Sequence, residues 1–351
     1  MKSLKSILEA SILADIDDQL KEGLADWDEG DFEKSIKKET SKQALKKIIT
    51  DWIVKNASPF IRIYKNKIKF DFNTDPVTVD YDGNYTMRSY TDSLTNGAFQ
   101  WGRINGWFDC SYCENLKSLE GTPKYVKTDF NCSYCNNLTS LEGAPEDVGL
   151  NFYCVGCILL KDLTGAPKKV EGDFTCSQCD NLKSLRGAPE YVGKRFDCSF
   201  TNIESLQYAP KTVKILTCHD CKNLKSIKGC QGKIGNFNCS NCMNLKSLKD
   251  GPEVTTFYNC SSTSIESLEG APEKMQYGRL LCSGCKNLKS LKGCPEELEE
   301  IVLNDCTNIE SFEYLPKGKN RCTLAINFAP KNYETSFIPF IPDNYKVNFR
   351  K

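Results

Sequence analysis

Seven pairs of cysteines, each separated by two residues, are the feature of this sequence that points most directly to chemistry. The pairs are Cys110/Cys113, Cys132/Cys135, Cys154/Cys157, Cys176/Cys179, Cys218/Cys221, Cys239/Cys242 and Cys282/Cys285. Two such pairs separated by about 15 to 20 residues have the spacing of a zinc site, and a lone pair can form a redox-active disulfide. Zinc binding or redox chemistry is therefore one candidate function.

The same cysteines also fit a repeat in which each one fills a packing position. Where a pair is incomplete, the missing member is replaced by Thr201, Thr263 or Leu303. None of these residues is a usual zinc ligand, whereas all three have a size that suits a packed interior. We therefore expect reduced, buried thiols with no metal and no other cofactor, and we keep zinc binding or redox chemistry as the alternative.

His219 is the single histidine of the chain, which leaves few general bases for catalysis near neutral pH. It is followed by Asp220 and Cys221, a combination that resembles a nucleophilic constellation. Adjacent residues of a strand point to opposite faces, however, and Cys221 falls on a buried position of the repeat. We therefore expect no catalytic residues and predict that the protein is not an enzyme.

The charge balance and the hydropathy exclude two classes of partner. The chain has 46 lysines and arginines and 46 aspartates and glutamates, so its net charge is zero. Nucleic acids are bound by basic surfaces that displace counterions from phosphates. No run approaches the ~20 apolar residues that span a bilayer. The sequence predicts no nucleic-acid partner, no membrane span and no secretory signal peptide.

A repeat emerges when the cysteines are placed among their neighbours, because an L-x-x-L pair followed by a small residue and proline recurs every 20 to 23 residues. One unit contains Val170, Phe174, Cys176, Cys179, Asn181, Leu182, Leu185 and Gly187-Ala188-Pro189. The alternation of Phe174 and Cys176 predicts one short strand per unit, with both side chains in the core. Ten such units predict a solenoid in which each unit is one coil.

These units resemble leucine-rich repeats. Phe196–Leu206 and Tyr258–Leu268 fit the consensus L-x-L-x-x-N/C-x-L-x-x-L without insertion. The motifs S-L-E-G-A-P at Ser140–Pro145 and F-x-C-S at Phe130–Ser133 are similar to repeats of the short bacterial and bacteriophage type. The resemblance covers roughly residues 100–315 and implies an α/β-type, strand-rich leucine-rich-repeat solenoid encoded by a phage or a bacterium.

Segments outside the repeats have different patterns. Residues 1–57 have the apolar periodicity of helices and are predicted to form a helical N-terminal region. Residues 58–107 alternate in hydropathy and are predicted to form a strand-rich N-terminal cap. The solenoid is predicted at 108–315 and a C-terminal cap with two short strands at 316–351.

The first ten residues, M-K-S-L-K-S-I-L-E-A, bear on where the protein is found. The I-L-E-A end is similar to the glutamate sites at which phage prohead proteases trim leader peptides, and this resemblance implies a virion component. The alternative is the first turns of an ordinary helix. We expect a protein of the host cytoplasm or of a virion.

Solenoid strands present a broad face whose outward residues vary while the core is kept. The alternation places a mixture of aromatic and short polar residues outward: Trp107, Asp109, Tyr112, Asn131, Tyr134, Tyr153, Thr175, Asp197, Phe200, His219, Asn238 and Phe257. Exposed aromatic rings beside such polar groups are typical of protein-binding hot spots and also suit stacking on sugars. Tyrosines that merely cover their neighbours are the alternative. The sequence predicts a non-catalytic protein-binding scaffold, with a host-cell or virion protein as partner and a glycan less favoured.

Overall fold

The structure, a computed structural model, describes residues 29–88, 93–95, 97, 99–230, 232–315, 322–326 and 345–349. Within these residues the chain is a strand-rich parallel β-solenoid of about 11 coils with little helix. The prediction of a strand-rich solenoid is confirmed. Residues 1–28, which include the leader-like Met1–Ala10, lie outside the described residues.

Helix α1 (Glu29–Asn56) packs against the first strands of the solenoid. Its Ile49 and Ile53 are fully buried in the core. The hydroxyl of Tyr85 donates a hydrogen bond of 3.0 Å to the carbonyl of Ile53. The helix therefore covers apolar surface that the first coil would otherwise expose, as a cap must. A short 3-10 helix (Lys65–Lys67) follows it.

The described residues form strands numbered β1 to β20. Their bounds are β1 (Ile68–Asp71), β2 (Thr78–Tyr81), β3 (Tyr85–Thr86), β4 (Gln100–Ile104), β5 (Phe108–Asp109), β6 (Tyr125–Val126), β7 (Phe130–Asn131), β8 (Asp147–Val148), β9 (Phe152–Tyr153), β10 (Lys169–Val170), β11 (Phe174–Thr175), β12 (Tyr191–Val192), β13 (Arg195–Asp197), β14 (Ile215–Thr217), β15 (Lys233–Asn238), β16 (Glu253–Asn259), β17 (Lys274–Leu281), β18 (Glu296–Val302), β19 (Cys322–Ile326) and β20 (Tyr345–Phe349).

The strands form two sheets that run along the solenoid. The larger has 13 strands in the order β20-β19-β18-β17-β16-β15-β14-β13-β11-β9-β7-β5-β3, and the smaller has seven in the order β1-β2-β4-β6-β8-β10-β12. Apart from the antiparallel pair β1–β2, neighbouring strands are parallel. From β4 to β13 each coil contributes one strand to each sheet, where the alternation predicted a single strand. From β14 onward each coil contributes one strand to the larger sheet.

The core consists of columns in which the same repeat position stacks from coil to coil. Phe174 pairs in register with Phe152 and Phe196, and the rings of Phe152 and Phe174 stack with centroids 5.1 Å apart. The predicted core residues of this unit are all fully buried: Val170, Phe174, Cys176, Cys179, Leu182 and Leu185. A repeat buries little alone, so this stacking is what makes the core continuous.

Polar residues of the repeat hold its turns by accepting or donating backbone hydrogen bonds. The Ser184 hydroxyl accepts the N–H of Arg186 at 3.1 Å, within the L-x-S-L turn. The Asn181 side-chain amide donates a hydrogen bond of 2.8 Å to the carbonyl of Ile158 in the preceding coil. The Asn244 amide donates an equivalent hydrogen bond to the carbonyl of Lys222. These asparagines satisfy carbonyls that no strand partner reaches.

Tyr258 occupies the position at which most coils have phenylalanine, and it gives a first prediction. Its ring is fully buried against Phe237, and its hydroxyl has no hydrogen-bond partner among the described residues. An unsatisfied buried hydroxyl costs about 1–3 kcal/mol. We expect Tyr258→Phe to raise the free energy of unfolding by about 1 kcal/mol in urea denaturation. An unchanged or lower value would mean that the hydroxyl is satisfied, and Phe237→Tyr should have the opposite effect.

Candidate functional site

The outward side of the 13-stranded sheet, here called the strand face, has two columns of side chains in the coils from residue 107 to residue 200. One column contains Trp107, Asp129, Asn151, Asp173 and Arg195, and the other contains Asp109, Asn131, Tyr153, Thr175 and Asp197. Trp107 is exposed and the predicted residues of the second column are half-buried. The indole N–H of Trp107 donates 3.3 Å to the Thr86 hydroxyl.

Several of the predicted binding residues also build the turn after each strand. One side-chain oxygen of Asp109 accepts the N–H of Ser111 at 2.9 Å, and Asp197 accepts that of Ser199 in the same way. Asn131 and Asn238 have the equivalent bonds. These are turns closed by a side chain, for which aspartate and asparagine are suited. The residues therefore have a structural role, and their remaining polar atoms line the strand face.

A second line of residues, here called the turn ridge, follows the strands, and Tyr112, Gln178 and Phe200 are among its exposed members. Its members all have φ between 56° and 70°: Tyr112, Tyr134, Gly156, Gln178, Phe200, Asp220, Asn241, Ser262, Gly284 and Asp305. In this conformation the backbone N–H points along the solenoid toward the next coil. The N–H of Tyr134 donates a hydrogen bond of 2.7 Å to the carbonyl of Val155, and the N–H of Phe200 donates one of 3.0 Å to the carbonyl of His219. The left-handed backbone thus continues the ladder between coils beyond the end of the strand.

The two halves of the turn ridge differ in residue type. From Asp220 onward the ridge has aspartate, asparagine, serine and glycine, most of which adopt left-handed φ readily. Before that point it has Tyr112, Tyr134, Gln178 and Phe200, for which this φ costs roughly 1 kcal/mol each. Stacking of the Tyr112 and Tyr134 rings, with centroids 4.9 Å apart, offsets part of that cost. Bulky side chains are therefore displayed where the backbone disfavours them.

An open groove of about 410 Å³ lies along this first half of the ridge. Its lining is Tyr134, Asn136, Gly156, Ile158, Gln178, Asp180 and Phe200. Aromatic rings stand at both ends, Phe200 being 48% exposed, and Ile158 adds exposed apolar surface. The groove combines apolar walls with a few polar groups, which is the usual make-up of a ligand-binding surface.

Gly156 creates the space for this groove. A Cβ atom at Gly156 would lie 2.6 Å from the ring of Tyr134, so only glycine allows the tyrosine to lean across this coil. The Tyr134 hydroxyl reaches across that coil to the second coil beyond its own and donates a hydrogen bond of 3.4 Å to Oε1 of Gln178. The aromatic ring is therefore held between two turns and is preorganised as one wall of the groove.

His219 lies beside the end of the groove and corrects one inference from the sequence. Its ring packs edge-on against Phe200 with centroids 4.9 Å apart, and Nδ1 lies 2.7 Å from the Asp220 carboxylate. The expectation that His219 and Asp220 point to opposite faces is wrong, because Asp220 is in the left-handed turn and not in the strand. Cys221 is buried and its thiol donates 3.2 Å to the Cys198 carbonyl, away from the histidine.

The structure brings some of the predicted binding residues together and separates others. Tyr112, Tyr134 and Phe200 lie along the turn ridge and His219 packs against Phe200, whereas Phe257 is on a distant coil of the strand face. Sequence reasoning missed the groove residues Asn136, Ile158, Gln178 and Asp180, and also Asp220. The signal was present, because Tyr134, Gly156, Gln178 and Phe200 are each 22 residues apart, the period of the repeat.

The paired cysteines form two buried columns with backbone hydrogen bonds. In every pair after the first, the second cysteine donates to the carbonyl of the first cysteine in the preceding coil, as Cys135 does to Cys110 at 3.2 Å and Cys157 to Cys132 at 3.1 Å. Thr201 replaces such a cysteine and donates 2.7 Å to Cys198. A thiol or hydroxyl that satisfies a buried carbonyl explains both the cysteines and their threonine substitutes, and it supports a packing role.

Burial raises the pKa of most thiols in the first of these columns well above the ordinary value, as at Cys176 and Cys198. A thiol with a raised pKa stays protonated and unreactive at neutral pH. Among the described residues, no three or more histidine, cysteine, aspartate or glutamate side chains are arranged to hold a metal ion. The arrangement thus offers packing and hydrogen bonding in the columns and a binding surface on the turn ridge.

The chain is a parallel β-solenoid with an aromatic groove on its turn ridge. Comparisons with protein-family models, curated proteins and solved structures give no match. No helix in the described part of the chain is long and apolar enough to cross a membrane.

Proposed function

We propose that this protein is a non-catalytic leucine-rich-repeat-type scaffold that binds another protein through its strand face and turn ridge. The observation that carries the proposal is a set of aromatic side chains at left-handed positions: Tyr112 and Phe200 are exposed, and the half-buried Tyr134 lines an open groove together with Phe200. Rigid, exposed aromatic residues grouped at one place are typical anchors of protein interfaces.

The repeat motifs described above lead us to propose further that the scaffold is encoded by a phage or a bacterium, with a host-cell or virion protein as the partner. Such a protein would act in the host cytoplasm or in a virion. The fixed core columns and the variable outward residues support a binding role, because they allow the surface to change while the fold is kept. A glycan ligand is the second choice for the same groove.

The test is affinity capture from a lysate of the host cell, with the intact chain compared with Tyr112→Ala/Tyr134→Ala/Phe200→Ala. We expect a protein that the intact chain retains and the variant loses by at least tenfold, because anchor residues of an interface contribute about 2 kcal/mol or more. The bound proteins would be quantified by mass spectrometry.

The matched control is Tyr208→Ala/Tyr314→Ala. Their side chains are 53% and 45% exposed, close to the values for Tyr112 and Phe200, but they precede the prolines of other turns and lie outside the groove. The control should retain the same protein as the intact chain. Equal recovery by all three chains would refute the proposal.

A further inference from the structure

The groove between Tyr134 and Phe200 has a negative charge between its aromatic walls. Asp180 lines it, and its carboxylate has no ion pair or hydrogen bond with another described residue. Gln178 and Asn136 add amide groups, and none of the lining residues is basic. The groove therefore combines ring faces with an unneutralised carboxylate, and these are the two features that bind a guanidinium or ammonium group.

The strand face beside the groove has the same sign of charge. Its carboxylates in these coils are those of Asp109, Asp129, Asp173 and Asp197, and Arg195 is the single basic residue of the two columns. Tyr153 lies among them, and its pKa is raised by partial burial and by the negative charges of Asp129 and Asp173. The whole chain has no net charge, so this surface is acidic against a neutral background.

The far half of the strand face is different. There the two columns contain Ile215, Asn236 and Phe257, and the carboxylate of Glu300 is paired with Arg279 at 2.6 Å. Unpaired acidic groups therefore coincide with the aromatic groove and do not follow the solenoid along its whole length. Charge complementarity therefore favours a cationic occupant of the groove.

We propose that the groove binds an arginine- or lysine-bearing segment of the partner protein, with one cationic side chain against the Asp180 carboxylate and the Phe200 ring, and with Tyr134 as the opposite wall of the groove. This inference rests on the proposed function and specifies its partner. Arginine fits best, because its planar guanidinium can stack on a ring while it donates two hydrogen bonds to a carboxylate. The acidic strand face would attract the rest of the segment.

The test uses the full chain and a fluorescently labelled peptide of alternating glycine and arginine. A second peptide has citrulline, which keeps the shape of arginine without its charge. We expect fluorescence anisotropy to show binding of the arginine peptide that weakens as salt is added. Asp180→Asn and Phe200→Ala should each reduce the affinity at least tenfold, because each removes one of the two attractions.

Glu142→Gln is the matched control, since it removes an equally exposed carboxylate outside the groove and the strand face. It should leave the affinity unchanged. Equal binding of the citrulline peptide, equal binding by Asp180→Asn, or binding of a neutral oligosaccharide in place of the arginine peptide would overturn the cationic inference.

These outcomes are separate from those of the capture experiment. If a captured protein depends on the aromatic residues but not on Asp180 or on salt, the cationic inference fails and the proposed function stands. If no captured protein depends on the aromatic residues, the proposed function itself fails.

Discussion

Raising the pH to about one unit above the usual thiol pKa is expected to unfold the protein, because the first cysteine of each repeat belongs to a buried column in which the thiol form is strongly favoured over the thiolate. Burial raises the pKa of Cys221 from the ordinary 9.0 to about 12. The pKa values of the first-column thiols are raised well above the ordinary one: Cys110, Cys132, Cys154, Cys176, Cys198, Cys218, Cys239 and Cys260.

The direction of this pH effect follows from the linkage between proton binding and folding stability. A thiol whose pKa is higher in the folded state contributes its full stability below the unfolded pKa, and it loses that contribution as the pH rises toward the folded pKa. Each such thiol therefore costs about 1.4 kcal/mol for every pH unit above the unfolded value, and eight of them cost about 11 kcal/mol at one unit. That is comparable with the roughly 5–15 kcal/mol that holds a typical domain folded.

The measurement is circular dichroism together with the ultraviolet absorbance of thiolates, followed from about pH 7 to about pH 11 with a phosphine reductant. Both signals should change in one cooperative step. Cys198→Val keeps an apolar side chain that cannot ionise, so its midpoint should move to higher pH. Thiolate absorbance that rises near the ordinary pKa while the circular dichroism stays constant would contradict the buried columns.

The sequence predicts the core of this fold well because its period is strong. Phe174, Cys176 and Leu182 recur at fixed offsets, and residues at equal offsets in a solenoid stack on one another, so burial follows from spacing alone. The second sheet could not be predicted in this way. Its strands from β6 to β12, such as Tyr125–Val126, are two residues long, and alternation has no meaning over two residues.

The candidate site could be predicted in part. Hydropathy indicated that the side chains of Tyr134 and Phe200 point outward. It could not predict their left-handed backbone conformation, because tyrosine and phenylalanine are not residue types that favour positive φ. The signal lies in other coils, where Asn241 and Gly284 occupy the aligned position. The gap at Gly156 and the reach of Tyr134 across it depend on contacts between coils that a single unit does not contain.

Replacing an aromatic residue of the turn ridge by asparagine is expected to separate binding from stability. Asparagine tolerates left-handed φ, so Phe200→Asn should keep or raise the free energy of unfolding, by up to about 1 kcal/mol. The same change removes one wall of the groove and should weaken partner binding by at least tenfold. The two quantities would be measured by urea denaturation and by titration with the captured protein.

Ser262→Asn is the matched control, since it introduces the same residue at an equivalent left-handed position of the ridge, far from the groove. It should also raise the free energy of unfolding, and it should leave binding unchanged. If Phe200 served only to cover His219, Phe200→Asn would lower stability and leave binding intact. A natural chain keeps a residue that its backbone disfavours when selection acts on binding, so a gain of stability with a loss of binding is the result that identifies a functional anchor.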